Sequence, residues 1–379
     1  MNKLLIVGEV YSSNLGDAVI CDLVSKLIKE KYSSVEISYC DLSARNYYLQ
    51  EFSYSLVARV FIFCFRFFFR NSELHAGIMN FLFKQKYFSN IRDKFNSFDA
   101  VLFAGGQLFM DYFYLPVRQI LLYAKKFNKP VFFHAIGCKK IKSILIQKKF
   151  NKMLNMQVIK WISIRDGYGI FNFSNLRLTY DTGLCANEYY VLGNKAEEII
   201  GLGCMYFYKL SNFENVKFWV NLINCLNKRG FVWKLFCNGS YADYMLIINI
   251  LKSLNLNFSE YSIRRPVCPD DLVKDISTFS KIISFRLHSH IIAASVGIPS
   301  VGISWDEDKC RDFFVSINHL ERYKNVKDAP DEIVDALVNA QYTKADRELV
   351  NQQRKKTVTD LYNALQSNVE LSIMTKQAT

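Results

Sequence analysis

None of the ten cysteines stands in a C-x-x-C pair. Structural zinc needs clustered ligands, so a metal is not expected. A secreted disulfide scaffold would be short and loop-rich, and this chain is neither. Cys21, Cys64, Cys138, Cys204 and Cys225 sit among apolar neighbours. The chain has no internal repeat and no low-complexity segment. Its opening, MNKLLIVGEV, is too short an apolar run for a signal peptide, so a cytoplasmic location is expected. No G-x-G-x-x-G follows the first strand, and the dinucleotide fingerprint is therefore missing. Acidic residues are the scarcer charge: 35 against 48 basic ones, for a net +13. That excess favours an anionic partner, whether nucleic acid, acidic membrane or a phosphorylated substrate. The competing reading is a solvated basic surface.

Apolar residues are plentiful, at 50%, and aromatic ones reach 15%. Disorder is excluded. The length allows two domains, each with its own core. Apolar strands alternate with amphipathic helices along the whole chain, which predicts an α/β protein of two Rossmann-like, doubly wound domains. The expected division is an N-terminal domain over 1–190, a second domain over 191–343, and a C-terminal helix and tail over 344–379. Strands are expected near 3–7, 35–40, 98–104, 129–136, 198–202, 231–237 and 282–285. Gly230 and Gly297 are expected to stop helices.

Residues 44–96 form an aromatic, basic insert. Within it, 52–69 reads FSYSLVARVFIFCFRFFF. A membrane-spanning helix needs about 20 apolar residues and disfavours central Arg; Arg59 and Arg66 make this a poor span. Two readings stand: a helix packed inside the protein, or an interfacial helix with aromatic bulk in lipid and Arg reaching the headgroups. The second implies peripheral contact with the inner face of the cell membrane.

The richest stretch is 281–314, KIISFRLHSHIIAASVGIPSVGISWDEDKCRDFF. An apolar strand runs into Arg286-Leu287-His288, then an apolar helix from 291, then a strand near 299–303 and a polar loop ending at Lys309. Ligands of open parallel sheets sit beyond the carboxyl ends of strands. Helix N-termini there suit anions. Arg286, His288 and Lys309 at that rim describe a site for a phosphorylated or carboxylated ligand. His290, two residues on, points elsewhere if the helix has begun. Three further turns stand out. Asn14, Gly16 and Asp17 follow the first strand and either meet a ligand or cap the helix expected over 18–31. Gly105 and Gly106 end another strand, with Asp111 beyond them as a cap or a contact. Arg165-Asp166 ends a further strand and either grips an anion or ties down a turn. His134, in mid-strand, reads as a core histidine.

These blocks resemble the polysaccharide pyruvyl transferase family: N-x-G-D at Asn14–Asp17, Gly105-Gly106, Arg165-Asp166, Asp181, and R-L-H at Arg286–His288 with G-x-P and the late Lys309. The glycine turns are reduced, AGGQ standing for three glycines and one Gly at 137 for a longer motif. The resemblance implies a GT-B-like architecture, with the two domains facing a cleft and the N-terminal one on the acceptor side. It implies transfer of pyruvate from phosphoenolpyruvate onto a hexose as a ketal in cell-surface polysaccharide synthesis. No cofactor, metal or nucleic acid is implied. By the resemblance, Arg286 and Arg165 clamp the donor with Lys309 as a third cation, and His288 either exchanges protons or binds phosphate. Asn14, Gly16, Asp17, Gly105, Gly106 and Asp111 are then substrate-binding positions. An acceptor on a polyprenyl diphosphate carrier would account for both the basic charge and the aromatic run. A nucleotide-sugar glycosyltransferase of GT-B type is the alternative, although no Glu-rich ribose motif follows the R-L-H block. A non-catalytic basic binding protein is the third reading.

Overall fold

The computed structural model describes residues 1–50, 72–139, 141, 144–167, 171, 176–195, 198–305 and 308–377. The aromatic run 52–69 lies outside the described residues, as do Lys140, Asp306 and Glu307. The chain divides into two compact units. The first holds 1–12, 20–182 and 355–379; the second holds 13–19 and 183–354.

The first unit is built on six parallel strands in the order β2-β1-β3-β4-β5-β6. They are β1 (Lys3–Gly8), β2 (Glu36–Asp41), β3 (Ala100–Ala104), β4 (Val131–Ile136), β5 (Ile159–Ile164) and β6 (Leu176–Leu178). β3 and β4 are buried along their whole length. Parallel strands covered on both faces read as unbroken apolar runs, and AVLFA and VFFHAI do so. Helices α1 (Leu15–Lys31), α2 (Ser72–Phe83), α3 (Gln85–Lys94), α4 (Tyr114–Lys126) and α5 (Ile144–Leu154) come between strands. The described part of the insert is thus two helices, with Phe88 buried in the core beside Phe95 and Phe98.

The second unit carries five parallel strands in the order β11-β10-β9-β7-β8. These are β7 (Ile199–Gly203), β8 (Val232–Phe236), β9 (Lys281–Ser284), β10 (Ser300–Ser304) and β11 (Tyr323–Asn325). Its helices are α6 (Ala186–Tyr189), α7 (Asn212–Lys228), α8 (Tyr241–Leu254), α9 (Phe258–Tyr261), α10 (Pro269–Ser277), α11 (Leu287–Ser295), α12 (Asp308–Ser316) and α13 (Pro330–Asn339), and α14 (Lys344–Gln377) begins there. Local chemistry sets their ends. Ser211 and Glu214 close a reciprocal capping box on α7. Pro269 opens α10, with Asp270 and Asp271 in its first turn. Gly230 and Gly297, at φ +74° and +77°, take the left-handed conformation that halts α7 and α11. Asn255 does the same after α8. Trp219, Leu222, Leu235, Ile283 and Ile303 centre the core of this unit.

Three segments begin helices earlier than their polar residues suggest. α1 starts at Leu15 rather than 18, α11 at Leu287 rather than 291, and α12 at Asp308, so Lys309 is helical and not in a loop. The first turn of a helix has unpaired N–H groups and so tolerates polar residues.

Candidate active site

In the second unit, the carboxyl end of β9 delivers Arg286 as the residue capping α11, in extended conformation. Its Nε and Nη2 donate to Asp243 Oδ2 at 3.1 and 2.5 Å. Asp243 is 1% exposed and Arg286 keeps 23%. The other carboxylate oxygen, Oδ1, accepts the Tyr206 N–H at 2.8 Å. Asp243 sits in the first turn of α8. It thus ties the end of β7, the start of α8 and the end of β9 into one rim. Nothing in the motif blocks pointed to Asp243; its position just beyond a strand, at a helix start, was the available signal.

His288 lies in the first turn of α11, buried, with Nδ1 3.9 Å from Asp17 Oδ1. Asn14 Nδ2 donates to Asp17 Oδ2 at 2.8 Å, and the Asp17 N–H reaches the Asn14 carbonyl at 3.0 Å. Gly16 stands directly against the imidazole: a β-carbon there would lie 2.4 Å from His288 Cβ and 2.6 Å from Nδ1. The Asn-x-Gly-Asp block is therefore both a helix start and the wall of the histidine. It is held to the β8 end by the Leu15 N–H, which donates to the Asn238 carbonyl at 2.7 Å. Asn238 is buried; its Oδ1 accepts from Ser289 Oγ at 2.9 Å, and its Nδ2 has no partner among the described residues.

His290 does point away. It is fully buried and Nε2 donates to the Ser284 carbonyl at 3.0 Å, because a carbonyl can only accept. Burial pushes its imidazole down to about 4, against a smaller upward pull from that hydrogen bond. Lys309 follows β10 in the first turn of α12. Its neighbour Cys310 donates from Sγ to the Phe285 carbonyl at 3.7 Å, which places this turn beside the β9 end. Phe207 and Trp305 stack with centroids 5.2 Å apart and planes 11° from parallel, joining the β7 and β10 ends that flank β9.

In the first unit, Arg165 ends β5 and is 5% exposed on its side chain. Nη1 pairs closely with Asp181 Oδ2, and Nε donates to Asp166 Oδ2 at 3.4 Å. Asp166 Oδ1 accepts the Cys138 N–H at 2.5 Å. The pair thus ties down the 137–138 turn, and Gly137 leaves room for the guanidinium, whose Nη2 would be 3.1 Å from a β-carbon there. Gly105 and Gly106 have φ of +53° and +71°, and Gly105 also faces Ile20, 2.3 Å from where a β-carbon would stand. Both take the left-handed conformation that glycine adopts without strain. Asp111 is buried where a short 3-10 turn, Asp111–Phe113, begins. His134 is a buried core histidine, 3.2 Å from Thr182 Oγ1 and pushed down to about 4 by burial.

One polar network escaped the sequence reading. Glu9, just beyond β1, accepts from Ser43 Oγ at 2.5 Å and Arg45 Nη1 at 3.2 Å. Asp41, at the end of the adjacent β2, accepts the N–H groups of Tyr11, Ser43 and Arg45. Burial first, and Glu9 second, push Asp41 above the usual carboxylate range; Arg45 opposes them. Lys84 donates to the Ser43 carbonyl and is pushed down to about 8 by burial. The network occupies the carboxyl edge of the first sheet, where a substrate of that unit would sit.

Among the described residues, no group of three or more His, Cys, Asp or Glu side chains is placed to hold a metal, and no helix is long and apolar enough to cross a membrane.

The fold recurs in solved nucleotide-sugar enzymes. The S. aureus MnaA–UDP structure matches with a TM-score of 0.59 at 10% identity, over 98% of each chain. The UDP-GlcNAc 2-epimerase of Methanocaldococcus jannaschii matches with a TM-score of 0.52 at 11% identity, over 92% of this chain and 98% of that one. The spinosyn rhamnosyltransferase SpnG with thymidine diphosphate matches with a TM-score of 0.51 at 8% identity, over 98% and 100%. At such identities the likeness speaks for the fold alone: two parallel-sheet α/β domains of the GT-B kind. No curated protein matches the sequence. The model of the polysaccharide pyruvyl transferase family matches residues 14–307, and the chain belongs to that family.

Proposed function

We propose that the protein transfers the pyruvyl group of phosphoenolpyruvate to two hydroxyls of a hexose, as a ketal, in building a cell-surface polysaccharide. Family membership supports the transferase class. The observation that carries the donor assignment is Arg286 beside His288 at one helix N-terminus, the guanidinium fixed by Asp243 and the imidazole by Gly16 and Asp17.

The donor has a phosphate and a carboxylate. A guanidinium can pair with either in bidentate fashion, and the N-terminus of α11 adds free N–H groups and a positive dipole end. Arg286 is assigned to this anion, with Lys309 as a further cation. Arg165 is the first unit's candidate contact. Two carboxylates orient it and also offset its charge, so its share is the smaller.

His288 is assigned the proton exchange. Its imidazole stands in the first turn of α11 with Asp17 Oδ1 3.9 Å from Nδ1, and histidine is the side chain suited to proton exchange near neutral pH. The donor's methylene takes a proton and becomes methyl. One hexose hydroxyl then adds to C2 and a second displaces phosphate there. Two C–O bonds form and the C–O bond to phosphate breaks. Of the two hydroxyl protons, one balances the new methyl hydrogen and the other leaves with phosphate. Asn14, Gly16 and Asp17 act by holding His288. Gly105, Gly106 and Asp111 are assigned to the acceptor side, and the acceptor hexose to a polyprenyl diphosphate carrier.

Incubation with phosphoenolpyruvate and a panel of lipid-linked and nucleotide-linked hexoses tests this reading. Phosphate release matched by a pyruvyl mass gain on one acceptor is expected. Release of a nucleoside diphosphate from a nucleotide sugar, with phosphoenolpyruvate untouched, would replace it with glycosyl transfer.

A further inference from the structure

From Tyr112 to Arg165 the chain contains twelve Lys and Arg residues and no Asp or Glu. That block builds α4, β4, α5 and β5. It accounts for most of the net charge of +13. Where its side chains reach solvent they are sorted. On α5, Ile146, Phe150, Met153 and Leu154 are buried. The exposed positions are Ile144, Leu145, Lys148, Lys149 and Lys152. Four of these, from Leu145 on, follow the i, i+3, i+4, i+7 spacing of a single helical stripe. Ile144 is 72% exposed and Leu145 61%. On α4, which packs on α5, the exposed positions are Arg118, Lys125 and Lys126. The two helices cross over successive strands in the same direction, β3 to β4 to β5, so right-handed connections put them on one face of the sheet.

We infer that this face docks the protein on an anionic lipid bilayer, with the Ile144–Leu145 tip in the headgroup boundary and the α5 lysines against the lipid phosphates. Isolated exposed aliphatic residues are ordinary. Two in succession at a helix start, continuous with a lysine stripe and with no acid within the block to offset it, are the pattern of a surface-bound amphipathic element. A nucleic acid would engage the lysines and leave the aliphatic tip in water; single-stranded binders offer aromatic platforms instead. α5 begins just beyond the carboxyl end of β4, the end of the sheet that carries Gly137 and Arg165. Docking therefore turns that rim toward the bilayer.

Flotation of the full chain with vesicles tests the inference, comparing pure phosphatidylcholine with a mixture one third phosphatidylglycerol. At about 0.1 M salt the wild type is expected on the anionic vesicles and not on the neutral ones, with binding weakened at about 0.5 M. Each lysine near an anionic surface is worth about fivefold in partition, so the triple variant Lys148→Gln, Lys149→Gln, Lys152→Gln should lose roughly a hundredfold. The pair Ile144→Asn, Leu145→Asn should lose about tenfold at unchanged charge. The exposed triple Lys217→Gln, Lys228→Gln, Lys344→Gln removes the same charge from the second unit and should change partition by about twofold. Equal losses from both triples would reduce the effect to net charge and overturn the site. Wild-type partition of the α5 variants would assign docking to another segment. Retention on an oligonucleotide with vesicles left bare would replace the bilayer by nucleic acid.

Discussion

Gly16 and His288 stand so close that a single added carbon on residue 16 would lie 2.4 Å from the histidine's β-carbon. The obstacle is a β-carbon fixed to helix α11, not the end of a flexible side chain. Gly16→Ala must therefore shift α11 or α1. A loss of about 1–3 kcal/mol is expected from such overpacking, together with a fall in phosphate release well beyond the fraction unfolded. Thermal melting and single-turnover phosphate release on the same preparation check both. A variant as active as wild type would remove Gly16 from the site.

Asp243 and Arg286 lie 43 residues apart in sequence and share two hydrogen bonds. Asp243→Asn keeps an acceptor for the Tyr206 N–H but removes the countercharge that aligns the guanidinium. Phosphoenolpyruvate KM is expected to rise about tenfold or more with a smaller change in kcat. Asp243→Ala should also destabilise the fold by about 3–5 kcal/mol, because it strands a half-buried charge. Steady-state kinetics with urea unfolding separate the two effects. An unchanged KM in the Asn variant would make Asp243 a structural tie only.

How much of this was readable in advance follows from the range of the interactions. Apolar runs gave the longer strands of both sheets but not the three-residue β11, and Gly230 and Gly297 marked helix ends, because these are local signals. The R-L-H block and Asn14–Asp17 were visible as blocks. Their contact was not, since it depends on residues 13–19 grouping with the second unit rather than with the strand they follow. Helix starts were read late at Asn14 and Arg286, where polar residues resemble loop but satisfy the free N–H groups of a first turn. Asp243 and the Glu9–Asp41–Arg45 network were missed for a related reason. Each carboxylate has an ordinary sequence neighbourhood, and its partners come from another strand end.

His134 and His290 are both fully buried, with burial pushing each imidazole down to about 4. Their folded pKa lies below the unfolded value of about 6.5. The unfolded chain therefore binds more protons between these limits, and each neutral histidine contributes stability that is present above about pH 6.5 and lost as pH falls toward 4. Asp41, raised in the fold, runs the opposite way over an overlapping window. The informative quantity is thus a difference. His290→Gln should be less stable than wild type at pH 7, and that deficit should shrink by roughly 2 kcal/mol at pH 5. Urea midpoints at the two pH values give it; a deficit independent of pH would show that folding leaves the proton affinity of His290 unchanged.

The proposed transfer requires the second unit to grip a small dianion through Arg286 and His288. Titration calorimetry with phosphoenolpyruvate tests this most directly, on wild type, Arg286→Ala and His288→Ala. Wild type is predicted to bind phosphoenolpyruvate, Arg286→Ala to bind it about a hundredfold more weakly, and His288→Ala to bind it within about tenfold of wild type while releasing no phosphate. Equal affinity for phosphoenolpyruvate in wild type and Arg286→Ala would contradict it.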